Sequence, residues 1–198
     1  MPSDELVAAL KDRFTSYMKP GMQMLCYLVP GADGETAPGQ RRINWVWYVN
    51  TSADDLDRFM TGQTGTRYQS FLPAGYVTEA TKLAIQEMAE RTLPPLFRAL
   101  VHALAIFMQP VQDVAAQPRV HGRAFLIGDA AGTILPHTAA GTSKAFGDAA
   151  LLAEALSGWT ASDLLPKDML ERWNMAGTMD LETTAIRGRR LASGSRLG

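Results

Sequence analysis

Between Arg123 and Asp148 the chain reads RAFLIGDAAGTILPHTAAGTSKAFGD, and no other stretch restricts its fold so strongly. A short apolar run, Phe125, Leu126 and Ile127, stops at Gly128-Asp129; small residues and Pro136 follow, and Gly141 opens a helix-forming segment. Such a run fits a buried parallel strand, and ligands in open α/β sheets bind beyond the carboxyl ends of such strands. Asp129 then stands at that end, where a carboxylate suits the hydroxyl groups of a ligand. Gly128, Ala130, Ala131 and Gly132 keep the turn slim enough for close backbone approach. At the helix start the amides of Gly141, Thr142 and Ser143 lack intrahelical acceptors, and with the helix dipole behind them they favour negative charge on whatever they face.

The rest of the chain supplies walls for this passage. Asp4 to Met18 carries apolar residues at helical spacing and reads as an amphipathic helix. Met22 to Val29 and Ile43 to Asn50 read as an antiparallel strand pair. In the second strand Ile43, Trp45, Trp47 and Val49 share one face, and Asn44, Val46, Tyr48 and Asn50 share the other. That second face, with Asn44 and Tyr48, has the mixed character of a pocket for a flat polar aromatic, and equally of an ordinary half-solvated sheet. Ser52 caps a short helix ending near Gly62, and Gly62 to Gly75 is a long loop, either a cover for a site or a plain surface connection. Thr78 caps a helix to about Thr92, and Pro94-Pro95 breaks it before a second helix that carries Leu96, Leu100, Val101 and Leu104. His102 in that company reads as structural, with a single hydrogen bond. Ala105 to Pro110 reads as a further strand, and the boundary between two domains, 1–112 and 113–198, falls near Asp113. After the central stretch, Phe146, Ala149, Ala150, Ala153 and Leu156 form the expected buried stripe of one helix, and a long final helix begins at Lys167. The expected fold class is therefore α+β or α/β: an antiparallel sheet with helices, followed by a strand-helix part.

Charge and composition exclude several classes of function. With 19 basic and 20 acidic residues and a net charge of -1, the chain lacks the footprint of a nucleic-acid binder. Its longest mostly apolar run, Ala99 to Met108, falls well short of the roughly 20 residues that span a bilayer, so no membrane association is expected. A single cysteine, Cys26, suits a reducing, cytoplasmic setting. No cysteine, histidine and carboxylate spacing suggests a metal, and no serine sits in a G-x-S-x-G elbow.

Gly128-Asp129-Ala130-Ala131, Pro136 seven residues after Asp129, and Gly141 five after that resemble the second flavin-binding motif of FAD-dependent aromatic hydroxylases of the para-hydroxybenzoate hydroxylase type. Lys144-Ala145, Asp148-Ala149 and Leu151-Leu152-Ala153 extend the resemblance along the helix. Pro136-His137, Ala140-Gly141-Thr142 and the upstream Asn44-Trp45-Val46-Trp47-Tyr48 are most similar to the subgroup that includes 2,6-dihydroxypyridine hydroxylase. The resemblance implies FAD as cofactor, NAD(P)H as reductant and a small aromatic or N-heteroaromatic substrate hydroxylated with O2. It implies that Gly128 and Asp129 serve the flavin, with Asp129 on the ribityl chain, Pro136 near the reacting edge, and the helix start at Gly141, Thr142 and Ser143 facing N1 and the C2 carbonyl. Asn44 and Tyr48 then belong to the substrate sheet. His137 follows Pro136 and is the candidate catalytic group, either donating to substrate or flavin or bonding a loop carbonyl.

One departure matters. The family opens on a G-x-G-x-x-G turn that holds the FAD pyrophosphate, whereas no two of the 17 glycines here are separated by a single residue. The chain resembles the later half of the family, which leads to the expectation of a homo-oligomer or a complementary N-terminal chain. The alternatives are a non-catalytic fragment that folds and binds at most a small aromatic, and an unrelated α/β binding domain.

Overall fold

The computed structural model describes residues 10–136 and 139–194. The chain divides into two compact units, the first ending at Pro110 and the second running Val111–Gly194.

The first unit is built on a three-stranded antiparallel meander, β1 (Thr15–Lys19), β2 (Met22–Val29) and β3 (Arg42–Val49), in the order β1-β2-β3. Thr15 lies opposite Cys26 and Cys26 opposite Trp45. Alternation then sends Met22, Met24 and Cys26 into the core, where Tyr17, Leu28, Ile43, Trp45 and Trp47 join them. Among the described residues, three α-helices complete the unit: α1 (Ala53–Phe59), α2 (Glu79–Thr92) and α3 (Pro95–Ala103). Their ends follow local chemistry. The Ser52 side chain accepts from the Asp55 amide, that of Thr78 accepts from the Thr81 amide, and α3 starts with Pro95, whose missing N–H costs nothing there. Phe97, Leu100 and Val101 of α3 and Ala89 of α2 close the core under the sheet. Burial of a side chain such as Leu100 contributes about 1.5–3 kcal/mol.

Two expectations fail in this unit. The segment expected to be helical to Met18 contains β1, because Pro20-Gly21 folds it back on β2 and its residues alternate between half-buried and exposed. Phe14 and Met18, which helical spacing would have buried, are exposed, and Tyr17 packs against the core instead; residues 1–9 lie outside the described residues. Ala105 to Pro110 contributes only one bridge, Met108 to Leu72, not a strand. His102, expected to be packed with one hydrogen bond, does bond Glu90 at 2.8 Å but is exposed rather than packed.

Cys26 is fully buried on the core face, and burial pushes its thiol up to about 11 from 9.0. Ionisation alone then slows its alkylation by about 100-fold, since only the thiolate reacts. Iodoacetamide at pH 8 is expected to leave Cys26 unmodified in the folded protein and to label it promptly in urea; fast labelling without urea would contradict its placement.

The second unit has little sheet. β4 (Val114–Ala115) pairs antiparallel with β7 (Gly132–Thr133), and β5 (Val120–His121) with β6 (Ala124–Phe125) across Gly122-Arg123. The expected buried parallel strand over Phe125 to Ile127 does not form: β6 is an arm of a tight hairpin, and Ile127 is partly exposed. Two helices follow, α4 (Gly141–Ala155) and α5 (Lys167–Gly194). Among the described residues, no helix is long and apolar enough to cross a membrane.

Candidate functional site

The Gly128–Ala130 stretch forms a single 3-10 turn packed against α4. Gly128 takes φ +57, which side-chain-bearing residues rarely adopt, and a Cβ there would meet the Ala145 Cβ at 3.0 Å. Both conformation and closeness require glycine, so the turn lies directly on the second turn of α4. Asp129 is exposed, and no hydrogen bond or ion pair holds its carboxylate among the described residues. Pro136 is half-buried, and its carbonyl accepts from the Ala139 amide at 2.9 Å. Upstream of it, Asp113 accepts from the Leu135 amide at 2.9 Å and pairs with Arg189 at 2.6 Å.

The start of α4 is open. Ala140 precedes it and has no side chain able to cap, and the first α-helical bond runs from the Lys144 amide to the Ala140 carbonyl. The Ser143 hydroxyl turns back to the same carbonyl at 3.0 Å, and a Cβ on Gly141 would meet nothing within 4 Å. The first-turn amides of Gly141, Thr142 and Ser143 carry the positive end of the helix dipole, and Thr142 and Ser143 are exposed.

What sequence reasoning missed lies beneath this surface. α4 does not bury the stripe of Phe146, Ala150 and Ala153; Phe146 is 74% exposed, while Lys144 and Asp148 are 7% and 5% exposed. Charges four apart on a helix share a face, and here that face turns inward because each charge finds partners. Asp148 accepts from the Gly128 amide at 2.9 Å and from Lys144 Nζ at 3.1 Å, and Lys144 Nζ also donates to the Gly128 carbonyl at 2.8 Å. Arg119 Nη2 lies 2.6 Å from the other Asp148 oxygen. This last contact is ionic rather than well directed, for none of the three Arg119 side-chain nitrogens makes a hydrogen bond of good geometry. The Arg119 guanidinium instead lies over the Trp173 ring, 4.5 Å from its centroid, and against Gly177. Burial alone raises the Asp148 carboxyl, but Arg119, Lys144 and the Gly128 amide outweigh it and hold the group below its ordinary value of 3.8. The sequence carried two signals for this cluster, the i, i+4 spacing of Lys144 and Asp148 and their place in the helical extension of the flavin-motif resemblance.

The remaining candidates lie elsewhere. Asn44 and Tyr48 are half-buried in the first unit, on the β3 face opposite the core, alongside Gln23 and Tyr27 of β2. Burial, then the neighbouring Tyr27, raises the Tyr48 phenol above its usual range. His137 lies outside the described residues. In the first unit a cavity of about 520 Å³ is lined by Met22, Val49, Asp55, Arg58, Phe59 and Met88 among others, and Asn44 and Tyr48 are not in it.

A family model described as FAD binding domain-like matches residues 2–113. The 2,6-dihydroxypyridine 3-monooxygenase of Paenarthrobacter nicotinovorans is 31% identical over 156 residues, which are 78% of this chain and 38% of that protein. The solved 2,6-dihydroxypyridine-3-hydroxylase of Arthrobacter nicotinovorans superposes with a TM-score of 0.80 at 28% identity, over 96% of this chain and 47% of that one. Klebsiella pneumoniae HpxO, solved with FAD and uric acid, shares the fold at a TM-score of 0.58 and 15% identity, over 96% of this chain and 41% of its own. The chain thus spans less than half the length of each of these relatives.

Proposed function

The chain belongs to the FAD binding domain-like family, and from that premise we propose that it forms the flavin- and substrate-contacting later half of an FAD-dependent aromatic monooxygenase. Homology to FAD-dependent monooxygenases supports the class. Hydroxylation of an aromatic or N-heteroaromatic ring with NAD(P)H and O2 is our reading for the whole enzyme, of which this chain spans part. In this reading residues 1–112 form the substrate domain and 113–198 the C-terminal part of the flavin domain. A complementary dinucleotide-binding half, in another chain or in sequence N-terminal to these residues, completes the enzyme, and the single free, buried Cys26 fits a cytoplasmic setting.

The observation that carries the reading is the slim Gly128–Ala130 turn seated on α4, whose Asp129 carboxylate is exposed and unengaged among the described residues. The residues fit the polyol and isoalloxazine part of FAD. Asp129 would accept from ribityl hydroxyls, and the first-turn amides of α4 at Gly141, Thr142 and Ser143 would stabilise the negative charge that the ring gains on reduction. Pro136 offers no N–H and stiffens the loop that would line the reacting edge, and His137, next in sequence, would be the group that donates to substrate or flavin. Asn44 and Tyr48 orient the substrate ring by hydrogen bonds. Bound FAD supplies the redox chemistry with NAD(P)H and oxygen; these residues bind, orient and hold protons.

Titrating FAD and FMN into the chain tests this. Both are expected to bind with similar affinity, read as a shifted visible spectrum and quenched flavin fluorescence, because the contacts proposed are to the part they share. Asp129→Ala loses a charge-assisted hydrogen bond, worth roughly 1.5–3 kcal/mol, and so weakens both by about 10- to 100-fold. An Asp129→Ala chain that binds FAD as tightly as the parent would overturn the assignment, and no flavin binding by the parent would leave a folded, non-catalytic fragment as the better description.

A further inference from the structure

We infer that Lys144 and Asp148 are positioning residues for the Gly128-Asp129 turn, holding both polar ends of Gly128 so that the Asp129 carboxylate is presented to the ligand. The inference rests on the flavin reading above and adds two residues to it. Three charged side chains are buried here, Arg119 at 1%, Asp148 at 5% and Lys144 at 7% exposure. Stability does not account for them, because apolar residues in place of a buried ion pair are often neutral or stabilising by about 1–4 kcal/mol. Their hydrogen bonds are more informative. The Gly128 N–H goes to Asp148 and its carbonyl receives Lys144 Nζ, so two long-range bonds converge on the residue before Asp129.

That residue is the one most in need of restraint. A glycine at φ +57 has more conformations to lose than any other residue, and its neighbour must be held in direction without being bonded itself. The arrangement does both: the tethers end at Gly128, and the Asp129 side chain stays unengaged among the described residues. Arg119 keeps Asp148 charged, and because two cations face one carboxylate, removal of Lys144 leaves a matched Arg119–Asp148 pair in place.

Lys144→Met is therefore the informative variant, with Lys144→Gln, which keeps an N–H for the Gly128 carbonyl, as its control. Two measurements are made on the 198-residue chain: exchange of the Gly128 amide proton by NMR, without ligand, and FAD affinity. Lys144→Met is expected to speed Gly128 exchange at least tenfold, leave the amides of β2 unchanged, and weaken FAD about tenfold; Lys144→Gln recovers most of both. Unchanged Gly128 exchange in Lys144→Met overturns the inference, as does equal loss in Lys144→Gln. Parent and Lys144→Met binding FAD equally well sinks the positioning role alone, whereas a parent that binds no FAD sinks the flavin reading and this inference with it.

Discussion

Asp148→Ala is expected to lower the stability of the second unit by about 3–5 kcal/mol, the range found when one partner of a buried ion pair is removed and the other charge is left uncompensated. Two cations lose the one carboxylate that pairs with them among the described residues, for Arg119 and Lys144 both pair with Asp148. The buried Gly128 amide loses its acceptor as well. The shift is read from urea unfolding followed by fluorescence, since Trp173 stacks on Arg119 and donates its indole N–H to the Asp148 carbonyl. The same carboxylate gives a pH dependence of definite sign. Its folded pKa lies below the ordinary 3.8, so its contribution is complete above that value and disappears as pH falls through the folded value. Asp148→Asn is expected to show a shallower loss of stability between pH 5 and the acid limit, in the units of roughly 1.4 kcal/mol per pKa unit that govern such linkage. A variant as stable as the parent with the parent's acid profile would contradict the buried pairing.

Gly177→Ala is expected to destabilise the second unit by several kcal/mol, against the usual direction of that change. In a helix interior, alanine is ordinarily favoured over glycine by about 1 kcal/mol. Here the added Cβ would overlap Arg119 Nη1 and lie 2.6 Å from its Cζ, closer than non-bonded atoms tolerate. Either α5 moves away from the hairpin that carries Arg119, or the guanidinium leaves Asp148 and Trp173, and both routes expose or strand buried charge. The steric cost exceeds the propensity gain. Shortening the arginine should remove the conflict: in an Arg119→Ala background, Gly177→Ala is expected to cost nothing further. Such non-additivity is what a double-mutant cycle between touching residues reports. A Gly177→Ala protein that is neutral or stabilised in urea unfolding would show that Arg119 does not lie against this helix.

Local signals were readable in the sequence wherever the cause was local. Thr78 and Pro94-Pro95 delimit α2, Ser52 caps α1, and the face of β3 with Ile43, Trp45 and Trp47 packs on the core as alternation required. The Gly128-Asp129 turn and the helix opening at Gly141 were readable too, as were the family and the cofactor it uses. What escaped was decided by partners distant in the chain. β1 was hidden because its inward residue, Tyr17, falls off the helical spacing of Phe14 and Met18, and only pairing with β2 selects it. The inward face of α4 was hidden because Lys144 and Asp148 are polar by composition, and only Arg119 and Gly128, brought from 29 and 20 residues away, make their burial tolerable. Arg119 itself gave no signal: its amide bonds Asn174, 55 positions on, and the position that admits its side chain is a glycine in the middle of a long helix.

That long helix has a consequence of its own. Its 28 residues meet Arg119 at Trp173, Asn174 and Gly177, then the close approach of Gly132 at Leu181, then Asp113 at Arg189. From Asn174 to Arg189 is about 22 Å at 1.5 Å per residue. The helix is in effect a ruler on which the irregular chain from Asp113 to Gly132 is measured out, and its graduations are angular as well as linear. One residue inserted between Gly177 and Leu181 turns one set of contacts about 100° away from the other. The second unit can therefore accept many changes in what Met175 and Met179 are, since both side chains lie in solvent, yet none in how many residues separate its marks.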